Sequence, residues 1–167
     1  MLMRDRAADA EPFLDAAIER SRSTGERWSR TELLAFKAEV RAKLGDLDGA
    51  EALLAESRET LRANDYAAVG VYGTTLGLLR KIQGRYDEAE TSYRHALDVI
   101  LKSDNWFWQL AALDLADLLI ERGRPEEAAP LIDKVAKAVA GTELLLNRPR
   151  LERLQAQLGA RSKVRAD

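Results

Sequence analysis

The sequence predicts an all-α protein, an α-solenoid of about three stacked antiparallel helical hairpins with further helices at both ends. Gly45, Gly84 and Gly123 each open a related turn segment, and they follow one another at a constant interval of 39 residues. A fixed period of this size is typical of stacked helical repeats. Between the glycines, apolar residues recur at helical spacing and do not alternate as in a strand. Only ten glycines and four prolines occur among 167 residues, which also favours helices.

Glycines and capping residues divide the chain into helices within one predicted domain, residues 1–167. Gly45 ends a helix as a left-handed cap does, and Asp46 or Asp48 caps the next helix. The helix from Tyr66 contains three glycines, which predicts the close approach of a neighbouring helix. The predicted boundaries are a leading helix at 10–23 (half of an incomplete repeat), repeats at 26–63, 66–102 and 105–140, a capping helix at 142–158 and a basic tail at 159–167.

Composition argues against several classes of function. Charged residues make up 32% of the chain, with both signs interspersed and a net charge of −2, so nothing favours binding to nucleic acid or to a membrane. The chain has no cysteine, and therefore no disulfide, thiolate metal site or cysteine nucleophile. No apolar run approaches the roughly 20 residues that cross a bilayer. Residues 1–10 lack the apolar core of a signal peptide. We expect a cytoplasmic protein.

The middle unit carries a recognisable residue pattern. Leu76-Gly77 lies in its first helix, Gly84 and Tyr86 lie in the turn, and Ala89 lies in the second helix. This pattern resembles the tetratricopeptide repeat, in which a leucine and a small residue precede a Gly-x-Tyr turn and an alanine. The resemblance covers residues 10–158, and it implies helical hairpins that bind other proteins without catalysing a reaction.

Two features depart from the family pattern. The period is 39 residues, whereas the family repeats after about 34, so we expect helices that are longer by about one turn. Repeats of this length look similar to segments of large bacterial regulators and signalling proteins, which implies a bacterial source. In the first unit, Lys37 and Arg41 stand where apolar residues are usual.

A binding groove is predicted on the first helices of the repeats. When each turn glycine is numbered 15, positions 2, 5, 9 and 12 point away from the second helix, because a helix turns by about 100° per residue. In a right-handed stack these positions line the concave surface. With flanking positions included, the predicted groove residues are Trp28, Glu32, Glu39, Val71, Thr74, Leu78, Lys81, Trp106, Leu110, Leu113, Asp114, Asp117 and Glu121.

The predicted groove is apolar in its middle and carries more acidic than basic side chains. We therefore expect it to accept a protein or peptide segment with apolar anchors and some basic residues. Alternatively, four apolar residues of this surface contact the next helix of a tightly wound array, namely Leu78, Leu110, Leu113 and Ile120. In the same alternative, Trp28 and Trp106 pack on the preceding repeat. The cationic residues with which some repeats of this family bind acidic chaperone tails are absent, so we do not expect that partner.

No catalytic residue, metal site or cofactor is predicted. His95 is the only histidine, and neither a paired base nor a nucleophile accompanies it in the sequence. Asp114 and Asp117 lie three residues apart on one helix face, but without further oxygen ligands a solvated groove is preferred to a cation site. The turn glycines stand one per repeat and form no phosphate-binding loop.

The predicted function is therefore that of a non-enzymatic protein-interaction or scaffold module. One alternative is a sensory or regulatory segment of a larger bacterial regulator, in which the groove holds a small ligand or another domain. Another alternative is a self-associating module, in which the basic tail of one copy docks in the acidic groove of the next.

Overall fold

The computed structural model describes residues 7–26, 29–103, 106–140 and 147–164, with side chains described as far as residue 160. The chain forms two units, Met1–Asn105 and Trp106–Asp167. The described residues contain eight helices and no strand, which confirms the all-α prediction. In the first unit these are α1 (Ala7–Thr24), α2 (Arg30–Lys43), α3 (Leu47–Thr60), α4 (Tyr66–Ile82) and α5 (Tyr86–Ile100); in the second they are α6 (Trp108–Glu121), α7 (Pro125–Val139) and α8 (Arg148–Val164).

Consecutive helices pair as the 39-residue period predicts. In the first unit, α2 packs against α3 and α4 packs against α5, and α2 also contacts α1 and α4. In the second unit, α6 packs against α7, and α8 contacts both. Each hairpin buries its own apolar stripe: Leu34 and Leu54 are buried in one, and Tyr93 in the next. The stacked-hairpin architecture predicted from the sequence is confirmed.

The turns between paired helices depend on glycine and aspartate. Gly45, Gly84 and Gly123 have φ values of 89°, 76° and 77°, a left-handed conformation that side chains with a Cβ rarely adopt. The Asp46 side chain accepts a hydrogen bond from the Gly49 amide at 2.9 Å and so caps α3. Of the two capping residues that the sequence offered, the structure uses Asp46.

Glycines allow α4 to lie very close to α5. A Cβ atom added at Gly70 would lie 2.6 Å from the Cβ of Ile100. One added at Gly77 would lie 2.6 Å from the Tyr93 ring. Gly73 faces Ala96 in the same way. The three glycines thus give the close helix approach that the sequence predicted.

The charged residues at apolar positions of α2 have partners on α1. The Lys37 ammonium pairs with the Asp15 carboxylate, and the Arg41 Nε atom lies 2.5 Å from a Glu11 carboxylate oxygen. Both acidic residues belong to the leading helix, so α1 contacts the first hairpin through ion pairs as well as through the buried Ile18. Lys37 and Arg41 are therefore matched to an acidic neighbour.

Some helix ends differ from those that the sequence predicts. The leading helix begins at Ala7, three residues earlier than expected. Helix α6 begins at Trp108, and no side chain of the described residues caps it. Helix α8 continues to Val164, well into the predicted basic tail. Pro149 is tolerated there because it lies in the first turn, where no helical amide bond is lost.

Candidate functional site

The predicted groove residues are distributed over both units. Glu32 and Glu39 lie on α2, and the next four lie on α4, all in the first unit. Trp106 lies just before Phe107, the N-cap of α6. The five predicted residues that follow it lie on that helix in the second unit. Trp28 lies outside the described residues. The structure therefore offers two separate candidate surfaces, one in each unit.

The first surface is the α2–α4 face, which we define by Glu32, Glu39, Thr74, Leu78 and Lys81. All five side chains are half-buried, and the two helices pack side by side within the first unit. Val71, which the sequence also assigned to the groove, is only 5% exposed. The α2–α4 face therefore has an apolar floor with charged side chains around it.

Glu32 is the most unusual charge on the α2–α4 face. Burial raises the pKa of its carboxyl group above the ordinary value, and the nearby Asp65 carboxylate raises it further. Asp65 is fixed in place, because it caps α4 by accepting a hydrogen bond from the Ala68 amide at 3.0 Å. Within the part of the chain that the structure describes, Glu32 has no ion pair of its own. A cation placed beside it would relieve the repulsion.

The second acidic residue on this face is already neutralised. Glu39 and Lys43 lie one helical turn apart on α2 and form an ion pair. Both side chains are 15% exposed, so the pair is shielded from much of the solvent. The α2–α4 face is therefore less acidic than its sequence suggests, and Glu32 carries most of its uncompensated charge.

The second surface lies on α6 and its N-terminal approach. The rings of Trp106 and Phe107 pack together with centroids 4.4 Å apart and planes inclined by 35°. Trp106 and Leu110 are half-buried, whereas Glu121 is exposed. Leu113 has no exposed surface, and Asp114 retains only 3% of its own. Only part of the predicted second surface is therefore open to a partner.

A set of polar contacts, which we call the polar seam, joins α6 to Asn147 and to the first turns of α8. The Asn147 side-chain amide donates to Gln109 Oε1 at 3.1 Å. The Arg150 guanidinium donates to Asp114 Oδ1 at 2.6 Å. The Arg153 guanidinium lies 3.5 Å from Asp117 Oδ1. Both aspartates that the sequence assigned to a foreign basic partner are thus paired with arginines of the same chain.

Sequence reasoning missed the polar seam, although a signal for it exists. Asp114 and Asp117 are spaced by three residues, and so are Arg150 and Arg153. Two such pairs match when their helices lie side by side, because residues three apart lie on the same side of a helix. The matching spacing of opposite charges was the available clue.

A cleft between α3 and α4 was not predicted. It has a volume of about 430 Å³ and lies wholly within the first unit. Its lining combines apolar side chains with two arginines, two glutamates and a tyrosine: Glu51, Leu54, Ala55, Arg58, Glu59, Tyr72, Leu76 and Arg80. Arg80 is held there by Glu51 and Gln83, so one of the two arginines is already engaged. The cleft is large enough for a small ligand.

The described residues contain neither a cluster of metal-ligating side chains nor a membrane-spanning helix. Among them, no three histidine or acidic side chains come together in a way that could hold a metal ion. His95 is exposed on α5. No helix in the described ranges is long and apolar enough to cross a membrane.

Comparison with known families identifies three segments of the chain. A model of the tetratricopeptide repeat matches residues 31–56 and 109–134, and a second model of the same repeat matches residues 74–102. Each match begins in a first helix and extends into the second helix of the same hairpin. No curated protein matches the sequence.

Proposed function

Because the chain contains tetratricopeptide repeats in all three hairpins, we propose that it is a non-catalytic interaction module that binds a protein or peptide segment on its first helices. Repeats of this family generally mediate contacts between proteins. The proposal includes a bacterial regulatory or scaffold role in the cytoplasm, which rests on the repeat length and the cysteine-free sequence. The partner segment would carry apolar anchors and at least one basic residue.

The observation that carries this proposal is the half-buried Glu32 on the α2–α4 face. A raised carboxyl pKa signals a charge that the fold accommodates poorly. An arginine or lysine of a partner would stabilise that charge, while apolar side chains of the partner would pack against the half-buried Leu78. Charge complementarity of this kind selects the partner and its register more than it adds affinity.

The proposal can be tested with a displayed library of random peptides selected on the full-length chain. We expect the selected peptides to combine basic and apolar residues, and we expect Leu78→Ala to weaken their binding by about tenfold. Glu32→Gln should weaken the binding of basic peptides and leave the binding of neutral peptides unchanged. Isothermal titration measures both effects.

His95→Ala is the matched control, because this exposed side chain lies on a second helix, away from the α2–α4 face. For the second unit, the variant is Trp106→Ala combined with Leu110→Ala. Peptide affinities that stay the same in all these variants would show that the first helices are not the binding surface.

A second candidate function is the recognition of a small ligand, and the α3–α4 cleft is the observation that favours it. Its volume falls within the usual range for ligand sites. A screen of small polar metabolites by thermal shift tests this function. Stabilisation that Tyr72→Phe or Arg58→Ala abolishes would support it, whereas stabilisation that survives both changes would place the ligand elsewhere.

A further inference from the structure

Helix α8 occupies the position that a first helix of a fourth repeat would take. One more period after Gly123 reaches Ser162, so the α8 residues fall at the same repeat positions as those of α2, α4 and α6. Its contacts agree, because α8 touches α6 and α7 as α4 touches α2 and α3. The surface of α6 that α8 covers is therefore a stacking surface for a further helix.

The attachment of α8 depends on polar contacts to an unusual degree. Among its side chains described to residue 160, only Leu151 and Leu154 are buried. The polar seam adds hydrogen bonds and ion pairs with α6, and these ion pairs join charges that water and salt can also satisfy once α8 has left. Such a helix can leave its surface at a lower cost than one held by a broad apolar stripe.

The α6 surface is also selective. With α8 in place, the Asp114 side chain is only 2% exposed, and Arg150 supplies the positive charge beside it. An apolar helix on this surface would leave the buried carboxylate without that charge, which is costly. An acidic helix would add repulsion from Asp114 and Asp117. The occupant must therefore bring positive charge at both places.

We propose that α8 is a displaceable occupant of this α6 surface, and that the surface binds a basic helix of a partner protein that imitates α8. The imitation requires two arginines three residues apart, each followed by a leucine, as in Arg150-Leu151 and Arg153-Leu154. This inference rests on the proposed interaction function and names the partner class for the second unit. It is independent of the α2–α4 face.

The test uses a fluorescent peptide with the sequence of residues 147–164 and the full-length chain. In wild-type protein the tethered α8 outcompetes the free peptide, because tethering gives it a high effective concentration. In the variant Arg150→Ala with Arg153→Ala, the tethered helix loses its ion pairs with Asp114 and Asp117. We expect this variant to bind the peptide at least tenfold more tightly than wild type does, measured by fluorescence anisotropy.

Two controls define the contact. Arg148→Ala changes an exposed arginine on the same helix, and this variant should behave like wild type. A peptide that lacks the two seam arginines should bind the double variant at least tenfold more weakly than the native peptide does. Raising the salt concentration should weaken the binding of the native peptide and have little effect on the binding of the peptide without the two arginines.

The proposal is overturned if the folded double variant fails to bind the peptide, or if wild type binds it equally well. Circular dichroism checks folding. If the variant unfolds, hydrogen exchange on the wild-type chain tests whether α8 is displaceable. The amides of α8 should then exchange faster than those of α7, and faster still at 0.5 M salt. Equal protection of the two helices would refute a displaceable α8. Leu78→Ala should leave peptide binding unchanged, which separates this result from the test of the α2–α4 face.

Discussion

Single glycines in α4 determine how closely two helices can pack. Gly77→Ala would place a methyl group against the Tyr93 ring, at a contact of 2.6 Å that must be relieved by movement. Although alanine favours helices by up to about 1 kcal/mol, the clash should dominate. We expect the free energy of unfolding to fall by about 1–3 kcal/mol. Urea denaturation measures the change.

The same substitution at Gly159 is the matched control. Gly159 lies in α8, and an added Cβ would meet no atom within 4 Å. Gly159→Ala should therefore raise the free energy of unfolding by about 0.5–1 kcal/mol, through helix propensity alone. If Gly77→Ala and Gly159→Ala changed the free energy of unfolding in the same direction, the packing explanation would be contradicted.

Glu32 makes stability depend on pH in a direction opposite to that of a salt-bridged acid. The pKa of Glu32 is higher in the folded chain than in the unfolded chain, so folding favours the protonated carboxyl group. Below the pKa of the unfolded chain, Glu32 therefore does not lower the free energy of unfolding. As pH rises through the folded pKa, the fold must accept a charge and loses stability. Glu32→Gln should therefore raise the Tm at pH 7, and the difference should vanish below about pH 4.

Calorimetry across this pH range measures the effect, and Glu59→Gln serves as the control because Glu59 is an exposed glutamate of α3. The control should show little change in Tm at any pH. A lower Tm for Glu32→Gln at neutral pH would mean that the Glu32 charge is stabilised, against the expectation. The same result would weaken the case for the α2–α4 face.

At the scale of helices, arginines of α2 and α4 join these two first helices to the second helix before each of them. Arg41 of α2 reaches Glu11 of α1, and Arg80 of α4 reaches Glu51 of α3. The Arg80 guanidinium, with help from Gln83, holds the pKa of the Glu51 carboxyl group below its ordinary value. The pair therefore stabilises the fold near neutral pH, and this stabilisation is lost as the pH falls through the pKa of Glu51 in the folded chain.

Arg80→Met tests this contact between neighbouring repeats. We expect this variant to lower the free energy of unfolding by about 1 kcal/mol at pH 7, because the ion pair between Arg80 and Glu51 is partly shielded but not fully buried. The loss should shrink below about pH 4, where the glutamate is protonated. Arg58→Met is the control, since it removes an exposed arginine from the same cleft. Equal losses in both variants would argue against a specific role of the pair.

Sequence patterns predicted most of the helical elements, because each depends on local signals. Asp46 and Asp65 cap helices where the sequence places a capping residue after a break. The start of α6 was less predictable, because its cap position carries Phe107 and no side chain caps it there. The role of Lys37 was also hidden, because its partner belongs to another helix and its charge alone does not identify that partner.

At the scale of the whole molecule, the candidate site was harder to predict than the fold. Repeat positions identify which side of a helix faces away from its partner, and this reasoning led to Glu32 and Leu78. It could not show that Asp114 is paired with Arg150, because that pairing depends on how the chain returns after the third hairpin. Long-range contacts of this kind leave only a weak trace in the sequence, here the matched spacing of opposite charges.

The polar seam also bears on the alternative of self-association. Tail-in-groove assembly would need the basic tail of one copy to reach the aspartates in the groove of the next. In this chain, Arg150 and Arg153 already pair with Asp114 and Asp117 within one molecule, where tethering favours the internal contact. We therefore expect light scattering after size exclusion to give the mass of a monomer, 18.6 kDa, at low salt and at 0.5 M salt alike. A dimer at low salt that dissociates at 0.5 M would instead show that the seam is exchanged between copies, and the α6 surface would then belong to a self-interface.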